Sequence, residues 1–299
     1  MPATSPQSAP WMQDTLREGF AHLSAGRLHE AGDCCRRLLQ AKPDLVEAHF
    51  LVGLIALELK QTWNAVSAFG SVTKLQPDHA AAWANLARLF MQAGQPARAD
   101  ASLAKAIEHN DDNPIVLDLI GNVYGQLGDQ IDAGEWIGRA LAKQPNNVQY
   151  LINQANNHMF LDKLDEAEEL LKRALALRPG SPNAHWLLSG LKKAENRDHV
   201  EVLEKLVQQE ERNPRALSFL YYGMGKELED LQDWDAAFGA FSNGAAAKRK
   251  TLDVDEQAEI EMNDAFPHTF TEAGMATPGE GHDDPAPIFE VGQPRTGTT

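Results

Sequence analysis

The residues with the strongest chemical character cluster near the C-terminal end, where Pro287, Ile288 and Phe289 lead through Gly292 into Pro294-Arg295-Thr296-Gly297-Thr298-Thr299. A short apolar run, a glycine, a turn, and a second glycine followed by hydroxyls is the plan of a strand entering a phosphate-cradling loop. Backbone N–H groups in such a loop bind anionic oxygens. The Gly292-x-x-x-x-Gly297 spacing matches a Walker loop, but Thr298 stands where that loop requires lysine. A magnesium-nucleotide hydrolase is therefore disfavoured. Arg295 offers the cation in another form, a planar fork suited to phosphate or sulfate oxygens.

A second set of candidates is spread along predicted helices: Asn85, Arg88, Asp118, Asn122, Gln126, Gln149, Asn153 and Asn156. Carboxamides donate to and accept from a peptide backbone without reading its sequence. The set reads either as a backbone-binding ladder or as the polar wall of a solvated groove. Acidic runs such as Asp165, Glu166, Glu168 and Glu169 read as outer helix faces, with Lys172 and Arg173 one turn on.

Cys34 and Cys35 are the only cysteines. As helix neighbours they point about 100° apart, so they form no disulfide framework and read as two packed thiols rather than a redox pair. The 10 histidines include His22 and His158 in one repeat position and His49 and His185 in another. No recognisable zinc pattern or helical-spacing ligand pair emerges from them, and no metal is expected.

These groups are positioned by a repeat. Shifting the sequence by 34 residues aligns Ala31, Ala65, Ala99, Ala133 and Ala167. A second register, all small, holds Gly19, Gly53, Ala87, Gly121 and Ala155. A third holds Pro43, Pro77, Asp111, Pro145 and Pro179, and a fourth the larger Cys35, Phe69, Leu103, Ile137 and Leu171. Small residues let the two helices of a hairpin cross closely. The large register is expected to fill the seam to the next hairpin, and proline suits the first turn after each unit. Gly26, Gly94 and Gly128 supply the reversals.

The units run 12–45, 46–79, 80–113, 114–147 and 148–181. A degenerate sixth follows at 182–217, with two extra residues expected in a loop. A seventh, in a shifted frame, carries Gly225, Ala237 and Phe241 and ends near Arg249. This pattern resembles the tetratricopeptide repeat family over about residues 12 to 245. The resemblance implies an all-α, right-handed solenoid of about seven helical hairpins whose first helices line a concave, protein- or peptide-binding groove.

The expected organisation is an N-terminal tail (1–11), the solenoid (12–250), a terminal helix and linker (251–286) and the start of a further domain (287–299). Glycines and prolines at 274, 278, 279, 281, 285 and 287 mark the linker. The terminal Pro294-to-Thr299 motif looks like the 5′-phosphosulfate-binding loop of sulfotransferases that use 3′-phosphoadenylyl sulfate (PAPS). The segment Leu217 to Arg249 is similar to the last hairpin of bacterial proteins that fuse such repeats to a sulfotransferase. The resemblance implies transfer of a sulfuryl group from PAPS to a hydroxyl or amine, without a metal. Arg295 would neutralise charge at the sulfate as the catalytic cation, and Arg295, Thr296, Gly297, Thr298 and Thr299 would hold the cofactor.

Such a domain needs well over 100 further residues. These 299 residues are therefore expected to act as a non-catalytic scaffold. The rival reading is a pure interaction scaffold with no enzymatic role, and a repeat-bearing glycosyltransferase fits the loop less well.

Composition narrows the classes. A net charge of −16 argues against nucleic acid, whose phosphates call for clustered Lys and Arg. No apolar stretch approaches the roughly 18–20 residues of a membrane span. Residues 1–10 have neither the basic start nor the apolar segment of a secretion signal. A reducing cytoplasm fits the free thiols.

Overall fold

The computed structural model describes residues 10–110, 112–210, 212–252, 255–269 and 271. Fifteen helices and no strand occur among them. The chain divides into two units, one up to Arg249 and one from Lys250.

The first unit is a stack of helical hairpins. The first pairs α1 (Pro10–Ser24) with α2 (Leu28–Ala41), and the second pairs α3 (Val46–Glu58) with α4 (Thr62–Leu75). The third and fourth are α5 (Ala80–Gln92) with α6 (Pro96–Glu108), and α7 (Pro114–Leu127) with α8 (Gln130–Lys143). The fifth is α9 (Val148–Phe160) with α10 (Leu164–Leu177). Then follow α11 (Pro182–Leu191), α12 (Asp198–Gln209), α13 (Pro214–Asp230) and α14 (Trp234–Arg249). The second unit contributes α15 (Glu256–Thr269), with Pro267 near its end.

Both kinds of turn follow from the sequence. Within a hairpin, the residue two before the second helix takes the left-handed conformation: Gly26, Lys60, Gly94, Gly128 and Asp162 have φ of 71°, 57°, 66°, 96° and 57°. The next N–H reaches back five residues, as in Gln61 to Ala56 O at 2.8 Å and Gln95 to Phe90 O at 2.8 Å, which closes a Schellman cap. The sequence marked the three glycines of this register; Lys60 and Asp162 occupy it with a Cβ.

Between hairpins the prolines act. The residues before Pro43, Pro77 and Pro179 are extended, with φ of −141° at Lys42, −135° at Gln76 and −139° at Arg178, because proline's ring disfavours the helical region there. A ring N–H from the following helix then locks the turn. His49 Nε2 donates to Pro43 O at 2.8 Å, Trp83 Nε1 to Pro77 O at 2.8 Å and His185 Nε2 to Pro179 O at 2.7 Å.

The small register lies at the crossings. A Cβ on Gly53 would stand 2.6 Å from Phe69, and one on Gly121 would stand 2.6 Å from Ile137 Cγ1 and 2.9 Å from Ala133 O. In these two hairpins the large residue also packs over the glycine of its own hairpin, besides the seam expected of it. Phe69, fully buried, does both: it also joins Leu86, Leu89 and Phe90 of α5. Each such side chain contributes roughly 1.5–3 kcal/mol by leaving water.

The sixth hairpin is distorted. Its helices are separated by residues 192–197, against three residues in hairpins one to three. Val200 and Leu203 of α12 pack with Leu220, Met224 and Leu228 of α13 instead of building a close crossing with α11. Cys34 and Cys35 are free and buried. Burial pushes both thiols up, Cys35 to about 12, so neither is a poised nucleophile.

Candidate functional site

One register of the first helices runs along a single face of the stack: Phe20, Leu54, Arg88, Asn122 and Asn156, each 34 residues from the last. Helical stacking repeats the same residue direction in each unit, so these side chains line two cavities in sequence. The larger, of about 920 Å³, is walled by Phe20 and Leu23 of α1, Phe50 and Leu54 of α3, Asn85 and Arg88 of α5, and Leu119 of α7. Arg215 at the start of α13 also borders it. The smaller, of about 270 Å³, is lined by Asn122 and Gln126 of α7, Gln130 of α8, and Asn153, Asn156, Asn157 and Phe160 of α9.

The face thus changes character along its length, apolar at the first two hairpins, cationic at the third and rich in carboxamides at the fourth and fifth. Arg88 marks the transition. Asn85 Oδ1 accepts from its Nη2 at 2.9 Å, while Asn85 Nδ2 donates to Ala81 O at 2.8 Å. The Arg88 Nε is buried with no hydrogen-bond partner. Burial pulls the guanidinium below its usual pKa, and the nearby Glu58 carboxylate opposes this. The rest of the guanidinium borders the larger cavity and brings a planar cation to its wall.

Asp118 is only 9% exposed. Asn153 Nδ2 donates to its Oδ1 at 2.8 Å and its Oδ2 at 3.1 Å, and Gln149 Nε2 donates to Asn153 Oδ1 at 2.8 Å. Asn122 Nδ2 is held by Asp118 O at 2.7 Å. Burial raises the Asp118 carboxyl to about 6, against the pull of the Asn153 and Asn122 amides. The carboxylate therefore supports the ladder from behind and lines neither cavity.

The eight groove residues fall into three roles. Asn85 and Arg88 border the larger cavity; Asn122, Gln126, Asn153 and Asn156 border the smaller; Asp118 and Gln149 hold Asn153. Sequence reasoning missed the apolar half, although the Arg88–Asn122–Asn156 register extends back to Leu54 and Phe20. It also missed Asn157, whose Nδ2 donates to Gln130 O at 2.7 Å and Gln130 Oε1 at 3.1 Å. Asn157 Oδ1 sits where a Cβ on Gly134 would be, so the glycine admits it.

One reading needs correction. His22 does form a ligand pair at helical spacing, four residues after Glu18, and the fold brings Cys34 beside both. A histidine chain also appears at the distorted hairpin. His185 Nδ1 lies 2.8 Å from His199 Nε2, and His199 Nδ1 lies 2.5 Å from Oε1 of Glu227, itself 4% exposed. The candidate loop residues Arg295, Thr296, Gly297, Thr298 and Thr299, the strand before them and most of the linker lie outside the described residues.

Residues 56–123 and 152–191 each match the tetratricopeptide repeat family. The helices over these residues are tetratricopeptide repeats. Among curated proteins, the repeat chain is 24% identical over 159 residues to anaphase-promoting complex subunit 3 of Schizosaccharomyces pombe, covering 53% of this chain and 24% of that one. It is 24% identical over 215 residues to an uncharacterized protein of Aquifex aeolicus, covering 72% and 28%. The chain thus spans about a quarter of the length of these relatives. A solved thermophilic tetratricopeptide protein of Thermus thermophilus superposes with a TM-score of 0.52 at 20% identity, over 60% of this chain and 98% of that one. Its likeness extends to the fold. No helix among the described residues is long and apolar enough to cross a membrane.

Proposed function

We propose that the stack is a protein-binding scaffold whose concave face takes an extended segment of a partner chain. The observation that carries this reading is the Phe20–Leu54–Arg88–Asn122–Asn156 register, which offers an apolar trough, one incompletely partnered cation and a run of carboxamides along one line. A matching segment places apolar side chains against Phe20, Phe50 and Leu54, an acidic group at Arg88, and its backbone amides along Asn122 and Asn156. Carboxamides tolerate many sequences, so specificity resides in the apolar trough and Arg88.

Selection from a displayed random-peptide library tests it. Recovered peptides are expected to combine apolar and acidic residues and to lose at least about tenfold in affinity for Arg88→Met, since a charge-assisted hydrogen bond is worth about 1.5–3 kcal/mol. Trp63 is 69% exposed and borders neither cavity, so Trp63→Ala is expected to leave binding intact. Peptides indifferent to Arg88→Met and Asn156→Ala would place the partner elsewhere.

A second reading rests on the residues of the tail. Arg295 between Pro294 and Thr296, with Gly297, Thr298 and Thr299 following, supports a sulfuryl-transfer role with PAPS as co-substrate, the repeats serving to recruit the acceptor. Calorimetric titration of adenosine 3′,5′-bisphosphate into a chain extended past Thr299 tests it. Binding abolished by Arg295→Ala supports the transferase; no binding leaves the scaffold alone.

A further inference from the structure

We propose that Glu18, His22 and Cys34 form a binding site for one divalent transition-metal ion of the zinc class, clamping the first helix of the stack to the second. The ligand atoms lie within 4.8 Å of one another, and the His22 Nε2 to Glu18 Oε1 distance is 3.6 Å. A tetrahedral ion with N, O and S ligands at about 2.0–2.3 Å needs ligand separations of about 3.3–3.8 Å. The set must close by up to about 1 Å to hold the ion.

Two features favour a site over a chance grouping. The backbone frame is tight, since a Cβ on Gly19 would stand 3.2 Å from the Cβ of Cys34 and 2.7 Å from Leu51. The two helices therefore cross with the ligand-bearing backbones close together. The adjacent cysteines also divide their work: Cys35 packs with Ala31, Leu51 and Ile55, whereas Cys34 faces the glutamate and histidine.

Arg27 governs access. Its Nε–H donates to His22 Nδ1 at 2.8 Å, so without metal the imidazole proton sits on Nε2, the nitrogen that faces Glu18. On ligation the ion replaces that proton at Nε2, the ring takes a proton at Nδ1, and the exposed Arg27 side chain withdraws. The thiol proton leaves to solvent, and Cys34 binds as thiolate. Thiolate and imidazole select zinc-class ions over magnesium or calcium. Three protein ligands leave the fourth position to water.

The test uses the 299-residue protein with cobalt(II) as a spectroscopic probe and zinc(II) in competition with a chromophoric chelator. One ion per chain is expected, with a thiolate-to-cobalt charge-transfer band. Cys34→Ala removes the band, His22→Gln weakens binding by about 100-fold or more, and Cys35→Ala leaves both. Arg27→Gln presents an amide oxygen able to accept from Nδ1–H and is expected to tighten binding by about tenfold, as outer-shell partners of metal-bound histidines do. A cobalt complex without the thiolate band, or zinc affinity untouched by Cys34→Ala and His22→Gln, overturns the site.

Discussion

Asn153 on α9 donates through one amide group to both carboxylate oxygens of Asp118, 35 residues earlier on α7, at 2.8 and 3.1 Å. The contact ties the fourth hairpin to the fifth directly behind the carboxamide ladder. It also leaves a carboxylate buried without a cation, and that has a measurable cost. With the Asp118 pKa raised to about 6 from its ordinary 3.8, the folded protein holds a proton that the unfolded chain has released. Stability from this group is full below about pH 4 and is lost as pH rises through about 6. Asp118→Asn keeps an oxygen for Asn153 and removes the charge. It is expected to stabilise the protein at pH 7 by on the order of 2–3 kcal/mol and to have little effect at pH 4. Paired denaturant titrations at the two pH values read the difference, in which other titrating groups cancel. Equal effects at both would show the carboxyl to be unshifted.

Close crossings predict which glycines tolerate a methyl group. Gly121→Ala would press on the backbone of α8 at Ala133 O and Ile137 N, 2.9 and 3.0 Å away, where no rotamer change gives relief. A loss of about 1–3 kcal/mol is expected. Gly70→Ala meets nothing within 4 Å in the middle of α4 and is expected to gain roughly 0.5–1 kcal/mol from helix propensity. Thermal unfolding of the two variants must shift in opposite directions.

The turn register gives a prediction of the reverse kind. Lys60 and Asp162 hold φ of 57° where Gly26, Gly94 and Gly128 stand in the other hairpins. The left-handed region costs a residue with a Cβ roughly 1–2 kcal/mol, partly offset by the greater freedom of glycine when unfolded. Lys60→Gly is therefore expected to raise stability by up to about 1 kcal/mol. A decrease would mean that the lysine side chain makes a compensating contact.

The His185–His199–Glu227 chain holds the distorted hairpin to α13. The Pro179 carbonyl accepts from His185 Nε2, so neutral His185 accepts a hydrogen bond at Nδ1 from His199 Nε2, and His199 Nδ1 meets Glu227. His199→Ala strands a carboxylate 4% exposed, one of whose oxygens already lacks a partner. A loss of roughly 2–4 kcal/mol is expected, recovered in part by Glu227→Gln in the same chain. Chemical denaturation of the two single variants and the double variant measures the coupling, and strict additivity would exclude the link.

The sequence alone determined the repeat and its consequences. A spacing of 34 between small, large and proline positions implies paired helices, close crossings and stacked units, because each register answers a local or nearest-neighbour steric demand. It also placed Arg88, Asn122 and Asn156 on one face. Periodicity could not show that Phe20 and Leu54 continue that face as an apolar trough, since an apolar residue in a first helix serves core and groove equally well. Cys34 and Cys35, likewise, are adjacent in sequence and buried alike, yet only the crossing of α1 and α2 sends one into the apolar core and the other beside Glu18 and His22. The Asp118–Asn153 and His199–Glu227 contacts join residues 35 and 28 apart, spacings set by how each hairpin rotates against the next. That rotation belongs to the packed stack as a whole, so only the tertiary structure decided which polar groups met.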